Sequence, residues 1–145
     1  MIKTALRGFV DQVVEKRTIS AEDVAFLQGT VLPHGLAMRE EADMLVALDR
    51  AVADADPSWV VFLVASVVDF VVWTSRPTGY VGHDDASWLV ATLSCGKGPT
   101  PYARRIAFEV IREAEQVDEA LLAFALRGVR QHRSQVGADR GSLAA

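Results

Sequence analysis

The stretch from Asp56 to Trp73, DPSWVVFLVASVVDFVVW, decides the fold. Its apolar part, Trp59 to Trp73, is 15 residues long and is interrupted only by Ser66 and Asp69 among polar residues. The valines favour a strand on propensity alone. Two features favour a helix instead. Asp56 followed by Pro57 is an N-cap with proline at the first helical position. The run also exceeds the usual strand length of about 3–10 residues. No other segment alternates apolar and polar side chains, so a lone strand would find no partner. A membrane-spanning helix needs about 20 apolar residues, and an interfacial one would carry Lys or Arg on a polar face. This run has neither, so it reads as the core helix of a soluble protein.

Helical periodicity extends outward in both directions. Leu6, Phe9, Val10 and Val13 form a stripe on a helix near 4–17. Ser20-Ala21-Glu22-Asp23 is a capping-box variant opening a helix near 20–32, stopped by Pro33-His34-Gly35. Met44, Leu45, Leu48, Ala51 and Val52 mark a helix near 39–54, and the core run one near 57–75. Asp84 and Asp85 begin a helix near 84–94, closed by Gly96-Lys97-Gly98. Thr100-Pro101 opens one near 101–115, and Asp118 caps one near 118–132. The fold class is all-α, with about seven helices and no sheet, forming a single domain over 1–133 and a flexible tail over 134–145.

Two halves align at an offset of 61–62 residues. Ile19 to Leu27 matches Val81 to Leu89, Thr30 matches Thr92, Gly35 matches Gly96, Ala42 matches Ala103, and Phe62 matches Phe124. The predicted repeats are 19–68 and 81–130, packed together because neither covers its apolar face alone.

Placing Gly35 at position 6 of a calcium loop puts Glu41 at position 12, as an EF-hand requires. Positions 1, 3 and 5 then fall on Thr30, Leu32 and His34, and in the second half on Ala91, Leu93 and Cys95. Leucine and alanine cannot ligate a hard cation, so no metal site is expected. The order of Ser20 to Val24, Gly35 with Glu41-Ala42, Trp59, Phe62, Asp69, Pro77-Gly79-Tyr80-Val81 and Trp88-Leu89 resembles uncharacterised bacterial, especially alphaproteobacterial, proteins of the tellurite-resistance TerB-like type. That resemblance implies tandem EF-hand-like, TerB-like helical repeats and a metal-associated stress response. The chain departs from the family's Asp-Gly loop, with His34-Gly35 and Cys95-Gly96.

Gly96-Lys97-Gly98 lacks the upstream glycine and following Ser or Thr of a phosphate loop. The single cysteine excludes an internal disulfide. His34, His83 and His132 do not share the spacing of helical metal ligands, although His34 and Cys95 fall at equivalent points of the repeats. His83-Asp84-Asp85 reads as first-turn acids favoured by the helix dipole. Asp69 reads as an ion-pair partner of Arg76 or as a solvated edge. No catalytic residue, cofactor or metal is therefore assigned.

The net charge of −4 and pI near 5.3 argue against nucleic-acid binding,. Arg7, Asp11 and Glu15 leave no apolar signal core near the start,, and the expected location is cytoplasmic, with no membrane contact. Acids gather over residues 40–56, whereas Arg127, Arg130, Arg133 and Arg140 gather late. The resulting expectation is a non-enzymatic helical interaction or adaptor protein with a protein partner or self-association; the alternative is the metal-associated protein. Aromatic and arginine residues dominate binding hot spots, so Trp73, Arg76 and Tyr80 form the expected partner surface.

Overall fold

The computed structural model describes residues 4–127. The expected tail over 134–145, His132 and the last part of the second repeat lie outside the described residues. The chain is all-α, with only two-residue strands between its helices. In order they are α1 (Thr4–Lys16), β1 (Thr18–Ile19), α2 (Ala21–Phe26), α3 (Arg39–Ala51), β2 (Asp54–Ala55) and α4 (Pro57–Val68). There follow β3 (Tyr80–Val81), α5 (His83–Leu93), α6 (Pro101–Glu113), β4 (Gln116–Val117) and α7, described over 119–127. α2 runs on as a π-helical turn over Leu27–Val31, and α4 as another over Asp69–Thr74.

The caps act as the sequence implies. Ser20 accepts from the Asp23 amide at 3.1 Å while Asp23 accepts from the Ser20 amide at 3.0 Å. Asp56 takes the Ser58 amide at 3.0 Å, Thr100 the Ala103 amide at 3.0 Å and Asp118 the Ala120 amide at 3.1 Å. Each satisfies a first-turn donor that has no partner within the helix.

The expected absence of any sheet is corrected. β1 pairs in parallel with β2, and β3 with β4. The physical cause is backbone geometry just outside the helices. Arg17 turns to φ 59, and Gly79 to φ 83. The Arg17 carbonyl then accepts from Ala53 at 2.9 Å, and the Gly79 carbonyl from Glu115 at 2.8 Å. Each pairing clips together the two ends of a helical hairpin, α2–α3 or α5–α6. Both pairings recur at one offset of 62 residues, as do the starts of α2 and α5 and both limits of α3 and α6.

α4 is central, packing against α2, α3 and α6, while α1 covers α3 and the π turn after α2. Trp59, Leu63, Val67 and Val72 of the α4 segment are fully buried. Burying each such side chain contributes about 1.5–3 kcal/mol relative to leaving it in water. Phe62 and Phe124 are both buried, at 8% and 6% exposure.

Candidate functional site

The helix formed by α4 and its π turn spans Pro57–Thr74, 18 residues with mean hydropathy 1.7. By length and composition it could cross a membrane, yet 44% of it is buried within this fold. The rest is organised. Val61, Ala65, Asp69 and Trp73 are all exposed, Val61 at 65% and Trp73 at 43%. Their spacing of four sets them in one row along the helix.

The row stands between two grooves. On one side, a groove of about 610 Å³ runs between α4 and the α2 segment, with Val24, Gln28, Leu32 and Pro33 on its far wall. On the other, a groove of about 400 Å³ runs between α4 and α6, with Arg105, Glu109 and Glu113 on its far wall. Val61, Ala65 and Asp69 line both grooves, and Trp73 lines the second.

Both π turns border the larger groove, through Gln28 and Asp69. The Leu32 amide donates to the Leu27 carbonyl at 2.7 Å, and the Ser75 amide to the Phe70 carbonyl at 3.1 Å. Such five-residue turns rotate the residues that follow and recur at functional sites. α5, which lies 62 residues after α2, is a regular α-helix through Leu93. The widening after α2 is therefore not repeated after the start of α5.

Of the expected surface residues, Trp73 lies on the row, and its indole N–H donates to Glu113 at 3.1 Å. Arg76 is exposed in the connector beyond the helix. Tyr80, 40% exposed, lines a separate small groove with Gln116, Val117 and Asp118. β3, which holds Tyr80, packs against the π turn that holds Trp73. Asp69 makes no ion pair with Arg76. Its residue is exposed and its carboxylate has no hydrogen-bond or ion-pair partner among the described residues, in keeping with the solvated-edge reading. The π turn breaks the α-helical register between the two positions, and the helix ends at Thr74 before Arg76 is reached.

His83, Asp84 and Asp85 do not act together. Asp84 and Asp85 accept from one Arg39 nitrogen at 2.8 and 2.7 Å, whereas His83 approaches Asp118 at 3.3 Å. Hydrogen bonds donated to Asp85 first, and then to Asp84, hold the Arg39 guanidinium above its ordinary pKa. Arg39 also lies over the Trp88 ring at 5.2 Å, and Trp88 donates to Asp43 at 2.9 Å. Arg50 donates to the Thr92 carbonyl at 3.1 Å, and Thr100 to Asp49 at 2.6 Å. These contacts form a polar seam from α3 to α5 and the start of α6. Sequence reading missed Arg39 and Asp43 because their partners lie more than 40 residues away.

Glu41 is fully buried beneath the Gly35 loop. One carboxylate oxygen accepts from Ala37 at 2.7 Å and Met38 at 3.2 Å, closing the loop onto α3. His34 and Cys95 are exposed on different loops, and the Cys95 thiol donates to the Ala91 carbonyl at 3.2 Å. Among the described residues, no group of three or more His, Cys, Asp or Glu side chains is placed to hold a metal ion. α7 also exposes Leu122 and Leu126, next to residues outside the description.

No family model, curated protein or solved structure matches this chain.

Proposed function

We propose that this chain is a non-enzymatic helical interaction module that receives a protein partner along the α4 row, with Trp73 as aromatic anchor and Arg76 at its end. One observation carries the reading: a central helix leaves Val61, Ala65, Asp69 and Trp73 exposed in a single row between two grooves. An apolar row with a groove on each side suits the seating of another element more than it suits contact with water. Tyr80 lines a different groove and is left out of the proposed surface. The metal-associated reading is supported by the TerB-like resemblance alone, and no geometric observation favours it.

We also infer that the module is a tandem pair, each unit a strand, helix, helix and strand followed by a helix. What supports this is the single offset of 62 residues shared by the strands, the hairpin helices and the Asp56 and Asp118 caps.

The test places a photocrosslinking amino acid at position 61, with position 15 on α1 as control. Both sites are exposed. The expected result is a discrete adduct from position 61 that is lost in Trp73→Ala, with none from position 15. Equal adducts from both sites, or none from 61, would overturn the reading.

A further inference from the structure

The groove between α4 and α6 differs in charge from its neighbour. Its floor is apolar, from buried Val64 and Val68, with Val61 and Ala65 of the exposed row along one edge. Three carboxylates line it, Asp69 on one wall and Glu109 and Glu113 on the other, against the single guanidinium of Arg105. Asp69 and Trp73 stand four residues apart on α4, as Glu109 and Glu113 do on α6, so both walls carry polar groups one turn apart. Asp69 has no partner among the described residues. Glu109 meets Arg112 only at 3.8 Å, a loose i,i+3 approach on the surface. Glu113 accepts the Trp73 N–H, but a carboxylate has acceptor sites for further donors. Among the described residues, the carboxylates lining this groove thus outnumber the cations that line it, three to one.

We propose that this groove binds an amphipathic helix of a partner protein, with apolar side chains on Val64, Ala65 and Val68 and Lys or Arg facing Asp69, Glu109 and Glu113. A cleft between two packed helices accepts the apolar ridge of a third. The excess of carboxylates selects for cations at its edges and against acidic helices. The proposal rests on the docking surface described above and adds the chemistry of what docks.

The test is selection from a displayed library of four-turn amphipathic helices, with flanking positions randomised among Lys, Arg, Glu, Gln and Ser, against the full chain. Enriched helices should carry Lys or Arg one turn apart beside the apolar stripe. Their affinity should fall about tenfold or more for the triple variant Asp69→Asn, Glu109→Gln, Glu113→Gln, and should weaken with salt. Val61→Glu and Ala65→Glu, both at exposed positions, should abolish binding, with circular dichroism melts showing the fold retained. Helices without basic flanks that are lost on Val61→Glu would overturn the partner chemistry and leave the docking row standing. No enrichment, or binding indifferent to Val61→Glu, would overturn both. A dimer of the chain that Val61→Glu dissociates would seat a second copy in the groove and also overturn the proposal.

Discussion

Replacing Arg39 with methionine tests the polar seam between α3 and α5. Methionine keeps the aliphatic stem and removes the charge. Two carboxylates lose their partner, and the Trp88 ring loses the cation above it at 5.2 Å. One nitrogen serves both carboxylates, so the ion pairs do not count twice. The Arg39 side chain is 37% exposed, and such pairs contribute about 0.5–1 kcal/mol,. The cation–π contact adds about 0.5–1 kcal/mol at an exposed site. The expected loss is therefore about 1–2 kcal/mol, or roughly 3–6 °C in melting temperature for a chain of this size.

The two acids differ in a checkable way. Asp84 is 92% exposed and Asp85 only 23%, so Asp85→Asn should cost more than Asp84→Asn. The assay is urea and thermal unfolding of the single and paired variants at low salt and at about 1 M salt, where the Debye length shrinks to about 3 Å. The ion-pair share of the deficit should disappear at high salt, and the ring contact should persist. A deficit below about 0.3 kcal/mol, or Asp84→Asn equalling Asp85→Asn, would refute this account of how the halves are joined.

Glu41→Ala should destabilise by about 2–4 kcal/mol, because the Ala37 and Met38 amides lose their acceptor and a cavity opens in a fully buried site,. Glu41→Gln keeps an acceptor oxygen and should lose clearly less, which denaturant titration will show. Gly35→Ala and Gly96→Ala each force alanine to a φ above +70° and should cost about 1 kcal/mol. Space decides little there, since a Cβ at Gly35 meets nothing within 4 Å and one at Gly96 reaches Arg50 at 3.4 Å. Acid should lower the melting temperature below about pH 4. Burial pushes Asp23 up, but bonds from Lys16 and Ser20 outweigh it; the Ser58 hydroxyl and amide lower Asp56, and the Ala120 amide, then His83, lowers Asp118. A depressed folded pKa contributes stability above the unfolded value near 3.8 and loses it as pH falls through the folded value,. The double variant Asp56→Asn, Asp118→Asn should flatten this acid limb.

The helices were legible because their caps are local. Ser20 with Asp23, Asp56 with Pro57, and Thr100 with Pro101 each act within four residues. The strands were not, since two residues are too few to show alternation and their pairing depends on the left-handed turn at Arg17. The π turn after α4 left no signal in the apolar pattern, because a run apolar on every face reads the same whether it winds by 3.6 residues or wider. For the same reason the sequence could not say which valines face water. Asp69 was the one visible clue, and it does lie on the exposed row. Trp73 was chosen from its residue type and lies on the row, whereas Tyr80, chosen on the same ground, lines a different groove.

The second half offers a control for the first. On the proposed correspondence of 62 residues, Phe62 pairs with Phe124, and both are buried. Val61 pairs with Ala123 and Ala65 with Arg127, and all four are exposed. The core position keeps its phenylalanine, while the row changes from valine and alanine to alanine and arginine. On that correspondence, the fold accepts alanine and arginine at the counterparts of Val61 and Ala65, the two row positions whose counterparts are described. Grafting the second half's residues into the first, as Val61→Ala with Ala65→Arg, should leave stability within about 0.5 kcal/mol, as for surface changes generally. The same graft should abolish the crosslink to a docked partner, with the reporter moved to the neighbouring groove residue Gln28. A graft that unfolds the chain would assign the row to the core, and one that retains the crosslink would remove the row from the docking surface.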